Sequence, residues 1–402
     1  MNIRFTEKSV PLLFAIITVA GYGLLLPLTG FHWDDWPFAW IAKFLGPSEF
    51  NPAFAPFRPF LGPIFFFTAS LIPPVPLYWQ IFALVIRLLL GLSAWWMFNQ
   101  IWPGQKSLAL SAALFMLVFP GYSQHWVAYT HINQELIPFI FYLLSFGYTF
   151  KALRAEKPLP HIVIALLLQL CGIFPTEYFF GVEGIRALFL LSFFQGSLAN
   201  RFKKTIQYWW PHLLIWILNA GWLIYYYKFG PYNSYEVTAS QTLTLSSFLL
   251  ASVDSIWKAG FYAWIQILPL TFSTLPAPAS LLTLGLAAVS FAFLTYYFSR
   301  FPRLTEGTQH ALPLVLTGCI GILLGRIPSL AAGLPLTLQS SYDRFMVSMM
   351  IGGTLLILGL IEFLFGKSKF KIYVVALIIS LGIGQQFFNA NIFRRDWGKQ
   401  RE

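Results

Sequence analysis

Charge is what this sequence has least of. Only 10% of its 402 residues are Asp, Glu, Lys or Arg, against about a quarter in an ordinary soluble protein. With 57% hydrophobic residues, a water-facing surface cannot be built from it. Cysteine is scarce too. Cys171 and Cys319 both lie inside apolar runs, which excludes a disulfide framework and a cysteine zinc site. There is no phosphate-cradling glycine loop after a strand, no HExxH and no nucleophile elbow, so a soluble nucleotide-sugar domain is not expected. Internal repeats, Gly/Ser linkers and low-complexity tracts are missing as well. No small-x-small cleavage site follows the first apolar run, which therefore reads as an uncleaved anchor.

What is present is apolar and aromatic: 42 Phe, 18 Tyr and 15 Trp. Runs of spanning length, about 20 residues, recur near 9–29, 76–101, 106–122, 127–150, 160–175, 176–196, 205–228, 279–299, 309–326, 344–366 and 371–391. They are continuous rather than alternating, so they predict helices and not barrel strands. The expected fold is an all-α polytopic bundle of about eleven spanning helices. Net charge is +11, but the cations sit in short clusters between apolar runs, and nucleic acid is not an expected partner. With the N-terminus inside and sides alternating, the cytoplasmic segments hold Arg4, Lys8, Lys106, Lys151, Arg154, Lys157, Arg201, Lys203, Lys204, Arg300, Arg303, Lys367, Lys369 and Lys371. That is 14 of the 26 Lys and Arg, which satisfies the positive-inside rule. A bacterial-type plasma (inner) membrane is the expected location. Residues 1–393 read as one membrane domain with two large outer segments, 30–75 and 229–278. Residues 394–402, "RRDWGKQRE", read as a polar outer tail. The run 256–272 contains Lys258 and Pro269 and is expected as an interfacial or re-entrant helix.

The first outer segment opens with "FHWDDWPFAW", residues 31–40. Asp34 and Asp35 sit about five residues beyond the first helix, between Trp33 and Trp36, whose indoles suit headgroup depth. Eight prolines follow, separated by "FAWIAKFL" and "PFLGPIFFFTASLI", apolar but too short to span. These predict amphipathic helices on the outer surface. One reading of the acidic pair is a solvated loop anchored by its tryptophans. The other is that the loop holds two carboxylates at the mouth of the bundle.

A first helix with its N-terminus inside, then a long outer loop opening on "WDDW", then surface helices, resembles the GT-C superfamily of membrane glycosyltransferases. The helix count and polar C-terminus resemble protein O-mannosyltransferases and lipid A aminoarabinose transferases. The likeness covers most of the chain by architecture and little of it by motif. It implies a sugar donor linked through phosphate to a polyprenyl lipid, an acceptor on the outer face that is a glycan, lipid or protein, and inversion at the anomeric carbon. A carboxylate, Asp34 or Asp35 with Asp34 favoured, would take the acceptor's proton. A cation or a divalent metal (Mg or Mn) would stabilise the departing phosphate.

Three further stretches carry candidates. In "SQHWVAYTHINQE", His131 and Glu135 stand at i and i+4 on one helical face. They are either interface hydrogen-bonding residues or a second wall of the site, and with Asp35 they are possible metal ligands. In "FPTEYFFGVEGIR", Glu177 sits at a turn, and Glu183 and Arg186 are three apart. With Arg87 in the second helix they form either a buried ion network or a site in which Glu177 lines the sugar pocket and Arg87 or Arg186 reaches the phosphate. In "QSSYDRFMVSMM", Arg344 is the favoured phosphate ligand because its fork binds two oxygens, with Tyr342 beside it; a snorkelling helix anchor is the other reading. A transporter or lipid flippase using the intramembrane charges, and an O-antigen-type ligase or polymerase, are the competing functions.

Overall fold

The computed structural model describes residues 5–230, 244–301, 308–339 and 341–402. Arg4, Arg303 and residues 231–243 of the second outer segment lie outside the described residues. The described residues are helical, with no strand. Each of the eleven expected segments contains helix. Among the described residues, six helices are long and apolar enough to cross a bilayer: Glu7–Leu28, Pro76–Ile101, Pro278–Arg300, Ala311–Ala331, Ser341–Phe365 and Phe370–Arg401. These point to a membrane-embedded chain.

The runs expected over 106–122, 160–175 and 176–196 form shorter helices, the second of them Pro158–Ile173 with 16 residues, and burial explains the first. Lys106–Leu117 has 12 residues, a rise of about 18 Å. Every residue from Ser107 to Leu117 is buried, so this run is apolar because protein surrounds it on all sides. The run expected over 176–196 is a 3₁₀ turn, Glu177–Phe179, followed by the 11-residue helix Glu183–Phe193. The stretch around 256–272 is not one continuous helix. It is built from Leu245–Trp257, a π turn at Lys258–Tyr262, and the short pieces Ala263–Ile265 and Ile267–Phe272. Its Trp264 is buried against Phe115 and Phe119, and Gln266 donates to the carbonyl of Pro120.

Close backbone contact builds the late half of the bundle. Ala311–Ala331 and Met346–Phe365 pack where Gly318 meets Leu356 and Gly352 meets Ile322; a Cβ at either glycine would overlap the facing backbone. In lipid, helices associate by van der Waals fit rather than by hydrophobic expulsion, so small residues at the seam matter.

The first outer segment is held by aromatic packing. Asp35–Trp40, Phe50–Phe54 and Gly62–Leu71 bring Phe38, Phe50, Phe54 and Phe65 together with ring centroids 4.5–6.3 Å apart. Tyr129 stacks on Trp79 at 3.7 Å and closes this cluster onto the bundle. Each such pair adds about 0.5–1.5 kcal/mol beyond burial.

Residues 394–402 are not a separate tail. The last helix continues to Arg401, and its end docks on the acidic loop. Trp36 stacks on Trp397, Trp36 Nε1 donates to Gln400, and Phe393 packs on His32 and Trp126. Gly30 lets Trp397 lie flat on the loop, because a Cβ there would overlap the indole.

Candidate functional site

The two adjacent acids have opposite environments. Asp35 is fully buried. Its Oδ1 accepts from the Thr130 amide at 2.9 Å and the Thr130 hydroxyl at 3.0 Å, and its Oδ2 from the His32 amide at 3.3 Å. It therefore braces the acidic loop against the short helix Ala128–His131. Burial pushes its carboxyl up to about 7, against those hydrogen bonds and the nearby His131. Asp34, one residue earlier, is exposed and lines a cleft of about 550 Å³.

That cleft gathers residues from five parts of the chain. Trp33 and Asp34 come from the acidic loop, Ser123 from the turn before the 3₁₀ segment Gln124–Trp126, His131 from the braced helix, Gln339 and Arg344 from the approach to the helix Met346–Phe365, and Asp396 from the end of the last helix. Arg344 is positioned by its neighbour: buried Asp343 accepts from Gln124 Nε2 at 2.6 Å, tying the turn to the 3₁₀ segment Gln124–Trp126. Two non-glycine residues among those described have left-handed backbone, Trp33 (φ 47°) and Gln339 (φ 58°), and both line this cleft. Such conformations cost of order 1–3 kcal/mol each and gather at functional sites.

Two histidine–carboxylate pairs flank the cleft with opposite sense. His131 Nδ1 lies 2.6 Å from Glu135 Oε1, with Glu135 buried behind and the imidazole facing the cleft. His32 Nδ1 lies 2.8 Å from Asp396 Oδ2, with the imidazole buried behind and the carboxylate facing the cleft. A carboxylate partner fixes each Nδ1 as the protonated nitrogen.

The remaining sequence candidates lie elsewhere. Glu177 accepts a bidentate pair from Arg58, at 2.6 and 3.2 Å. Together with Tyr178, Leu223, Tyr227, Ile327 and Phe345 it lines a second, mainly apolar groove of about 390 Å³. Arg186 is buried and spent on Glu183, Thr149 and Ser145, while Glu183 also accepts from Tyr142, Gln169 and Trp209. This is a saturated structural network, and Arg186 does not reach the cleft. Arg87 is buried between the rings of Tyr22 and Tyr122, 4.8 and 5.3 Å from their centroids, and it does not line the cleft either. Tyr342 is exposed beside Phe345, outside the cleft lining. For the metal set Asp35, Glu135 and His131, the Asp35 oxygens are taken by the Thr130 and His32 donors, and Glu135 is paired with His131. Among the described residues no group of three or more His, Cys, Asp or Glu is arranged to hold a metal ion.

Comparison with known proteins adds no neighbour. No family model, curated protein or solved structure matches this chain.

Sequence reasoning missed Asp396, His32 and Arg58. Asp396 was hidden among four cations, though an acid beside Trp397 in a basic stretch is a signal of docking. Nothing local marked Arg58, whose partner lies 119 residues away.

Proposed function

We propose that this chain is an integral membrane glycosyltransferase of GT-C type, moving a sugar from a polyprenyl-phosphate donor to a hydroxyl acceptor with inversion. The reading keeps the expected topology: about eleven spans, a cytoplasmic N-terminus and a site on the outer face. One observation carries it. An exposed carboxylate, Asp34, shares a cleft with the cationic Arg344, and Phe345, the next residue after Arg344, lines an apolar groove beside Arg58 and Glu177.

The chemistry needs each part. The acceptor oxygen attacks the anomeric carbon, and the bond from that carbon to the phosphate oxygen breaks. The electron pair leaves with the polyprenyl phosphate, and the acceptor proton passes to Asp34. Arg344 holds the phosphate as its charge grows, with His131 in the same cleft. The apolar groove suits the first isoprene units, which keeps the reacting atoms at the membrane surface. Among the described residues the candidate ligands are not grouped to fit a resident metal.

The test uses the purified protein in lipid nanodiscs with a panel of polyprenyl-phosphate-linked sugars and mixed hydroxyl acceptors. Transfer that is lost in Asp34→Asn and in Arg344→Ala, with unchanged expression and unfolding temperature, supports the reading. Transfer at the native rate in Asp34→Asn removes it.

A further inference from the structure

The end of the last helix is anchored far more firmly than a polar helix terminus needs to be, since such ends ordinarily fray. Trp397 lies on Gly30 and stacks on Trp36, and Phe393 packs on Trp126 and His32. All of this holds one side chain, Asp396, on the cleft that Asp34 also lines. Asp396 Oδ2 takes both His32 Nδ1, at 2.8 Å, and Gln400 Nε2, at 2.7 Å. Its Oδ1 makes no hydrogen bond among the described residues, and the side chain is 48% exposed.

The partner chosen to hold it matters. Burial pushes the His32 imidazole below its usual value, although Asp396 acts the other way. A neutral imidazole orients a carboxylate without cancelling its charge. An arginine would cancel it, as Arg58 does for Glu177. A second, independent feature points to a ligand here. His131, 3% exposed, spends Nδ1 on Glu135 and lines the same cleft, and its Nε2 makes no hydrogen bond among the described residues.

We propose that Asp396 is a second substrate-binding carboxylate, so that Asp34 and Asp396 together take two neighbouring hydroxyls of one acceptor, which makes the acceptor a carbohydrate. This rests on the glycosyltransferase reading and narrows it. A serine side chain or a lipid alcohol offers one hydroxyl and would leave a carboxylate without a partner. A sugar offers adjacent hydroxyls, and the half-exposed indole of Trp33 on the same wall suits the C–H face of a pyranose ring.

The experiment uses the nanodisc protein with the donor found active above and a soluble glycoside acceptor, compared with its analogue deoxygenated at the hydroxyl next to the attacking one. The native protein should lose about ten- to a hundredfold in kcat/KM on the deoxy acceptor, the weight of a hydrogen bond to a charged group. Asp396→Asn should lose a similar factor on the parent glycoside, mainly through acceptor KM, and should no longer tell the two acceptors apart. Asp396→Asn discriminating as well as the native protein overturns the proposal, as does preferential transfer to a serine peptide or a simple alcohol. Transfer unaffected in Asp34→Asn is a different result, and removes the enzyme reading itself. Should Asp396→Asn fold poorly, Asp396→Ser gives the same comparison, because only the ratio between the two acceptors is read.

Discussion

Asp34 and Asp35 are one residue apart and call for opposite experiments. Asp34 touches nothing that holds the fold, so Asn at that position should leave the unfolding temperature unchanged and lower transfer by about 10²–10⁴-fold. Asp35 accepts from three buried donors, and Asp35→Ala strands all of them. The expected cost is about 2–4 kcal/mol, read as a fall in unfolding temperature in nanodiscs. Asp35 also sets a pH dependence. Its carboxyl titrates near 7 in the native chain and near 3.9 in an unfolded one, so the native state holds a proton that the unfolded state has released. Its contribution is complete below the unfolded value and is lost as pH rises through about 7. Unfolding temperature should therefore fall between about pH 4 and pH 7, and Asp35→Asn should flatten that slope. A slope unchanged in the variant would assign the effect to another group. The acidic pair was legible in the sequence, with Asp34 favoured as the base, but the burial of Asp35 was not. Alternation around one helical turn depends on how the loop docks, and Thr130 decides that from 95 residues away.

At the scale of elements, two contacts carry the arrangement. The seam between Ala311–Ala331 and Met346–Phe365 has no room for a side chain at Gly352. Gly352→Leu should cost about 1–3 kcal/mol by overpacking and lower the yield of folded protein from membranes, while leaving spans elsewhere inserted. The second contact is the docking of the last helix on the acidic loop. Deleting residues 394–402 should preserve membrane insertion and abolish transfer, because Asp396 is removed and Trp36 loses Trp397 and Gln400. Full activity in the truncated chain would show that this helix end has no part in the site. Helices were readable from apolar runs because lipid and protein interior both select continuous hydrophobicity. For the same reason the runs could not separate lipid-facing spans from Lys106–Leu117, which is enclosed by protein.

For the whole molecule, the charge asymmetry and the cleft make a joint prediction. In a background without Cys171 and Cys319, a cysteine at Asn51 and one at Lys369 should react with a membrane-impermeant thiol reagent from opposite sides, with position 51 outside. Labelling of both from one side would break the topology on which the outer-face site depends. Polyprenyl phosphate alone should raise the unfolding temperature, by the equivalent of about 2.7 kcal/mol at roughly a hundred times its dissociation constant. Arg344→Ala should weaken that effect while keeping the apolar groove.

By itself, the sequence determined that this is a helical membrane chain, because composition and run length are read directly by the bilayer, and it located an acidic loop after the first helix. Tertiary structure alone decided which carboxylates share a cleft. Asp34, His131, Arg344 and Asp396 are separated by up to 362 residues, and none carries a local pattern naming the others. They meet because Asp35 braces Thr130, Asp343 holds Gln124 and Trp397 rests on Gly30, contacts set by side-chain shape and hydrogen bonding across the fold rather than by periodicity along the chain.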